Sequence, residues 1–166
     1  MYEVIYFSRS GNTRKLATVI ADELNVKARH IQAVQSIYPD SDIFLGSGLY
    51  FMRPAKLIRK FIKNNSLQGR RIVIFGTSTA GVGIETMWMD WLLKRKGAII
   101  TGKYYCPGRF FLRIAGKHLF LRKGRPSDND LEKARKFTRL ITNNFGVKIE
   151  TQIQEEGNED RVLSCV

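Results

Sequence analysis

A repeated alternation of two hydrophobic periods constrains this chain more than any other feature. Val4-Ile5-Tyr6-Phe7, Asp42-Ile43-Phe44-Leu45-Gly46, Arg71-Ile72-Val73-Ile74-Phe75-Gly76 and the stretch from Ala98 to Cys106 are short runs rich in branched and aromatic residues. Continuous runs of this kind suit strands buried on both faces. Val26 to Ile31 alternates, as a more exposed strand does. Between the runs the period changes. Leu16, Val19, Ile20 and Leu24, with Ala17 and Ala21 beside them, fall on one helical face. Leu57, Ile58, Phe61 and Ile62 form a second stripe, and Pro54 ahead of them suits a first helical turn. A third helix is predicted from about Ile84 to Lys96, with Ile84, Met87, Trp88, Trp91 and Leu92 facing inward. In the last helix Ser127 can cap the start with Asp130 three residues on, Leu131, Ala134, Phe137, Leu140 and Ile141 line the core side, and Gly146 can end it. Strand–helix–strand units of this length pair their strands in parallel and cover both faces of the sheet. The expectation is one α/β domain over residues 1–146, followed by a loose acidic tail over 147–166.

Such sheets bind ligands at the carboxyl ends of their strands, so the loops there carry the functional question. After the first strand comes Ser8-Arg9-Ser10-Gly11-Asn12-Thr13. Three hydroxyls, an amide and a glycine ahead of a helix start suit a phosphate, because the helix offers unpaired N–H groups and a partial positive charge. Gly11 lets the backbone come close, and Ser8, Ser10 and Thr13 can each donate to phosphate oxygen. The other reading is an ordinary helix cap built from Ser10 or Asn12. Neither the G-x-x-x-x-G-K-[ST] loop of nucleoside triphosphates nor the G-x-G-x-x-G dinucleotide pattern is present. After the third strand, Ser47-Gly48-Leu49-Tyr50-Phe51 places aromatics where they can cover a flat ligand. Phe51 equally suits the core, whereas the Tyr50 hydroxyl favours water or a polar partner. After the fourth, Thr77-Ser78-Thr79-Ala80-Gly81 is small and polar, suited to backbone hydrogen bonds with the edge of a ring or to a plain turn.

Charge is the unusual property. Lys and Arg total 28 against 15 Asp and Glu, a net charge of +13. No acid occurs from Ile43 to Ile84, nor from Trp91 to Ser127, where apolar and basic residues interleave. Five of the 15 acids fall between Glu150 and Asp160. The expected partner is an acidic redox protein or an anionic membrane surface, and the alternative is a plain solvated face. Nucleic acid is the weaker reading, because no recognised binding motif accompanies the charge. Residues 109–125 read as an interfacial segment, a lid over the ligand, or a packed stretch with basic ends. Cys106 and Cys165 are too few for a disulfide framework or metal knuckle, and Cys106 alone suits a structural role better than a redox one. His30 and His118 have no ligand spacing, so no metal site is expected. No apolar run reaches bilayer length, and Met1 to Ile5 does not resemble a signal peptide. The expectation is a cytoplasmic protein, peripheral to a membrane at most.

The three loops together describe a pocket for a phosphate attached to a flat, hydrogen-bonding ring. Here the chain resembles the flavodoxin family, over residues 1–146. The resemblance rests on Tyr6-Phe7-Ser8-Arg9-Ser10-Gly11-Asn12-Thr13, on Gly46-Ser47-Gly48-Leu49-Tyr50-Phe51 and on Phe75-Gly76-Thr77-Ser78, with Lys123-Gly124-Arg125-Pro126 similar to one branch. It implies a three-layer α/β/α sandwich on a five-stranded parallel sheet of order 2-1-3-4-5, and it implies flavin mononucleotide (FMN). By position, Ser8, Arg9, Ser10, Gly11, Asn12 and Thr13 would surround the phosphate. Ser47, Gly48, Leu49 and Tyr50, with Thr77, Ser78, Thr79, Ala80 and Gly81, would flank the ring. A carbonyl near Gly48, where glycine lets the peptide reorient cheaply, would accept a hydrogen bond from a protonated ring nitrogen. The implied activity is electron transfer. The alternative is an enzyme similar to quinone-dependent protoporphyrinogen oxidases, with Arg109, Arg113, Arg122 and Arg125 pairing a porphyrin's carboxylates. Flavodoxins are usually acidic, and in this respect the chain departs from the family.

Overall fold

The buried runs form the centre of one sheet. The computed structural model describes residues 1–50, 53–78, 84–108, 110–114, 117–121 and 124–143. Strands β1 (Tyr2–Tyr6), β2 (Ala28–His30), β3 (Asp42–Tyr50), β4 (Arg53–Pro54), β5 (Arg71–Ser78) and β6 (Ile99–Pro107) belong to that sheet. Its parallel strands lie in the order β2-β1-β3-β5-β6, the order expected, and β4 adds a short antiparallel pair to β3.

Helices cover both faces. Leu16, Val19 and Ile20 of α1 (Asn12–Glu23), with Ala134, Leu131 and Phe137 of α4 (residues 128–143), pack on Val4, Phe44, Val73 and Phe75. Ile58 and Ile62 of α2 (Lys56–Asn64), with Met89 and Leu93 of α3 (Ile84–Lys94), pack on Ile5, Ile43, Leu45, Ile72 and Ile74. Alternation along each central strand therefore sends successive side chains to opposite faces, and both are dry. Full burial of each Val, Leu, Ile, Phe or Met side chain is worth about 1.5–3 kcal/mol, which is what holds the three layers together.

Three local expectations are corrected. First, β3 does not stop at Gly46. It continues through Ser47, Gly48 and Leu49 to Tyr50, with Gly46, Ser47 and Gly48 in register against Phe75, Gly76 and Thr77 of β5. Gly46 is required there: an added Cβ would lie 2.1 Å from the fully buried Phe75 ring. Second, Pro54 is not in a helical turn. It pairs with Leu49 in the antiparallel β3–β4 ribbon, and α2 begins at Lys56. Third, α3 is rotated from its expected face. Thr86, Met89 and Leu93 are buried, while Met87, Trp88 and Trp91 are exposed.

The start of α4 matches its sequence signal. The Ser127 amide donates to the Asp130 carboxylate at 2.8 Å and the Asp130 amide donates to the Ser127 hydroxyl at 3.4 Å, a reciprocal capping box. The basic stretch after β6 forms an antiparallel hairpin, β7 (Phe110–Ile114) with β8 (Lys117–Leu121), separate from the main sheet. Among the described residues, no helix is long and apolar enough to cross a membrane.

Candidate functional site

Four strand ends meet the amino terminus of α1. The Phe7 amide, just past β1, donates to the Gly46 carbonyl of β3 at 3.0 Å. Thr13, in the first turn of α1, and Thr77, near the end of β5, share a buried hydroxyl–hydroxyl bond of 2.9 Å. The Gly108 amide, just past β6, donates to the Ser78 carbonyl at 2.9 Å. An added Cβ on Gly108 would lie 2.9 Å from the Asn12 amide nitrogen and 3.3 Å from the Thr77 Cβ, so the backbone after β6 passes close against α1 and β5. Gly108 is a contributor that the sequence reading missed, since a Pro-Gly pair after a strand signals only a turn.

The loop from Ser8 to Gly11 lies at this junction. Gly11 precedes α1 at φ +85°, in the left-handed region that favours glycine. No side chain caps the helix, so the reading of Ser10 or Asn12 as an ordinary cap does not hold. The first amides of a helix have no intrahelical acceptor, and a left-handed residue next to them turns successive N–H groups toward one side. Ser8 Oγ is buried and has no hydrogen-bond partner. Asn12 and Thr13 are buried, whereas Arg9 and Ser10 are exposed. The site thus combines an uncapped helix start, an orphaned hydroxyl and open space beside Gly11, where an added Cβ meets nothing within 4 Å.

Tyr50 crosses from the end of β3 to this loop. Its hydroxyl accepts the Arg9 N–H at 2.9 Å, and its ring stands edge-on to Phe7 with centroids 5.6 Å apart. Burial pushes its phenol above the usual tyrosine value, with the Arg9 hydrogen bond opposing. The same side chain lies beside Gly48, where an added Cβ would meet its hydroxyl at 3.2 Å and its ring at 3.3 Å.

Ser47 and Gly48 are tied to the start of α2. The Ser47 hydroxyl accepts the Ala55 N–H at 3.0 Å and donates to the Gly48 carbonyl at 2.8 Å. Ser47 therefore fixes the path from β3 into α2. The Gly48 carbonyl accepts from that hydroxyl, and Gly48 stands in register with Thr77 of β5. Leu49 is paired with Pro54 and half-buried. Thr79, Ala80 and Gly81 lie outside the described residues, as do Phe51, Arg109 and Arg122. Arg125 makes an ion pair with Asp130 at 2.7 Å, which commits it to the start of α4. Cys106 is buried within β6. His30 contacts the rings of Tyr6 and Phe7 at the end of β1. Among the described residues no cluster of His, Cys, Asp and Glu could hold a metal.

The sequence of a flavodoxin domain model matches residues 3–98 of this chain, which include β1, the loop, β3 and β5. The chain belongs to the flavodoxin family. Within the family's reach, an uncharacterised protein of Methanocaldococcus jannaschii is 36% identical over 139 residues, covering 80% of this chain and 91% of that one. A solved flavodoxin from the domain Archaea superposes with a TM-score of 0.65 at 17% identity, over 86% of this chain and 96% of its own. A flavoprotein of Lactobacillus acidophilus, solved in complex with FMN, superposes with a TM-score of 0.51 at 17% identity, over 63% and 92%. At these identities the two solved structures share the fold of this flavodoxin-family chain.

Proposed function

We propose that the chain binds one FMN and transfers electrons to or from a redox partner. The observation that carries the reading is the buried, partnerless Ser8 hydroxyl beside a helix start that no side chain caps. A phosphate accepts from such groups and carries the charge that the helix end favours. Membership of the flavodoxin family and the likeness to a flavoprotein solved with FMN support the same cofactor.

Bound FMN supplies one- and two-electron redox chemistry, so the chain needs no nucleophile of its own. Its residues do the binding. Ser8, Gly11 and Thr13 would hold the phosphate, and the Thr13–Thr77 bond fixes the helix start against β5. Tyr50 would border the ring system from the β3 side, tied in place through Arg9. The excess of Lys and Arg supports an acidic redox protein or an anionic membrane surface as partner.

The test is the visible spectrum of the purified chain after FMN addition, with phosphate analysis of the flavin released on unfolding. The expected result is one flavin per chain, with one phosphate per flavin. A chain that carries no flavin absorbance once unbound FMN has been removed by gel filtration overturns the reading.

A further inference from the structure

Beside the candidate flavin site lies a second cluster, which shares only Tyr50 with the residues assigned to the flavin. An open cavity of about 430 Å³ lies against β4 and the start of α2, and its described lining is Tyr50, Arg53, Pro54, Lys56 and Arg59. Three of those five residues are cationic and none is a carboxylate. None of the ion pairs among the described residues includes Arg53, Lys56 or Arg59. Arg59 Nε is buried without a hydrogen-bond partner.

The helix makes this arrangement unfavourable in isolation. Lys56 opens α2 and Arg59 lies one turn on, at the end that already carries partial positive charge. The first turn holds no acid, and no side chain caps it at Ala55. An oxyanion in the cavity would relieve all three costs at once, accepting from guanidinium and ammonium groups and facing the positive end of the helix. The Arg53 guanidinium carbon lies 5.6 Å from the centre of the Trp88 ring, an arrangement that favours a cation.

We propose that this cavity is an oxyanion site, taking the carboxylate or phosphate group of a small redox molecule. Tyr50 lines the cavity and also bonds Arg9 of the phosphate loop, so the held group lies next to the candidate flavin site. The redox character of the ligand rests on the flavin reading; the anion chemistry does not.

Equilibrium dialysis tests the site with two probes, labelled inorganic phosphate and labelled succinate, at constant ionic strength set by chloride. With the chain first saturated with FMN, the expected result is saturable binding of one probe per chain. Whichever of phosphate and succinate binds tighter identifies the group. Arg59→Gln weakens that binding by at least about tenfold, the scale of a lost hydrogen bond to a charged group. Lys56→Gln, at an exposed position, weakens it severalfold and provides an independent variant should Arg59→Gln not fold. Neither variant changes FMN affinity. Flavin-free protein carrying Ser8→Ala retains the binding, which separates failure of this site from failure of the flavin reading. Absence of saturable binding by both probes overturns the proposal. So does binding that both cavity variants leave intact, or binding that Ser8→Ala abolishes.

Discussion

A hydroxyl buried without a partner costs a protein about 1–3 kcal/mol, and Ser8 carries that cost beside the uncapped start of α1. Such a residue sets ligand binding and stability against each other. Ser8→Ala is expected to weaken FMN binding by about tenfold or more, because a hydrogen bond to a charged oxygen is lost. The flavin-free protein should be no less stable, and its melting temperature unchanged or raised. Flavin fluorescence titration and calorimetry read the two effects separately; a variant that loses stability yet keeps its affinity would make Ser8 a structural residue. The candidate loop was legible at this scale because its spacing is local: hydroxyls, a glycine and a helix start fall within six consecutive positions. Tyr50 reaching Arg9 was not legible, since the two lie 41 positions apart and nothing in either neighbourhood signals the contact. Arg59 was equally hidden. On the sequence it is one more cation on the outer face of α2, and only the fold brings it to a cavity shared with Arg53 and Tyr50.

At the scale of elements, the parallel strands could be read because they are buried on both faces and thus continuously apolar. The errors arose where residue type and position conflict. Gly46 and Gly48 looked like the end of a strand, yet Gly46 is there to admit the Phe75 ring and Ser47 locks the extension onto Ala55. On α3, Met87, Trp88 and Trp91 form a helical stripe as regular as that of Thr86, Met89 and Leu93, and the polar threonine made the buried one look like the outer one. The capping box of α4 was read correctly because its partners are three residues apart. Ser127→Ala should destabilise the chain by about 1 kcal/mol. The effect should depend on pH. Burial raises the Asp130 carboxyl, but the Ser127 amide and hydroxyl and the Arg125 guanidinium more than offset it, and the group titrates below the ordinary aspartate value. Its contribution is therefore complete above the unfolded value of about 3.9 and disappears as pH falls through the lower folded value. Thermal unfolding of wild type and Asp130→Asn should differ clearly at neutral pH and converge in acid; a constant gap would assign the effect to packing.

At the scale of the whole molecule, the charge of +13 was plain in the composition, but its arrangement was not. The acids that pair with cations concentrate at specific joints: Glu3 with Arg29, Asp42 with Arg71 and Asp90 with Lys103. The cations around α2 are left without such pairing among the described residues. Attraction toward an acidic partner over such a surface is long-ranged and screened by salt. Electron exchange with an acidic redox protein, followed by stopped-flow absorbance, should slow by about tenfold or more between low and high ionic strength. A flat or rising salt profile would remove the basic surface from the encounter. The outward turn of α3 adds a consequence of a different kind. Trp88 and Trp91 are the chain's two indoles, stacked edge to face and half in water, each beside an arginine. The intrinsic tryptophan emission thus comes from one patch of the exterior, where it reports on whatever settles over α3 and hardly at all on the interior.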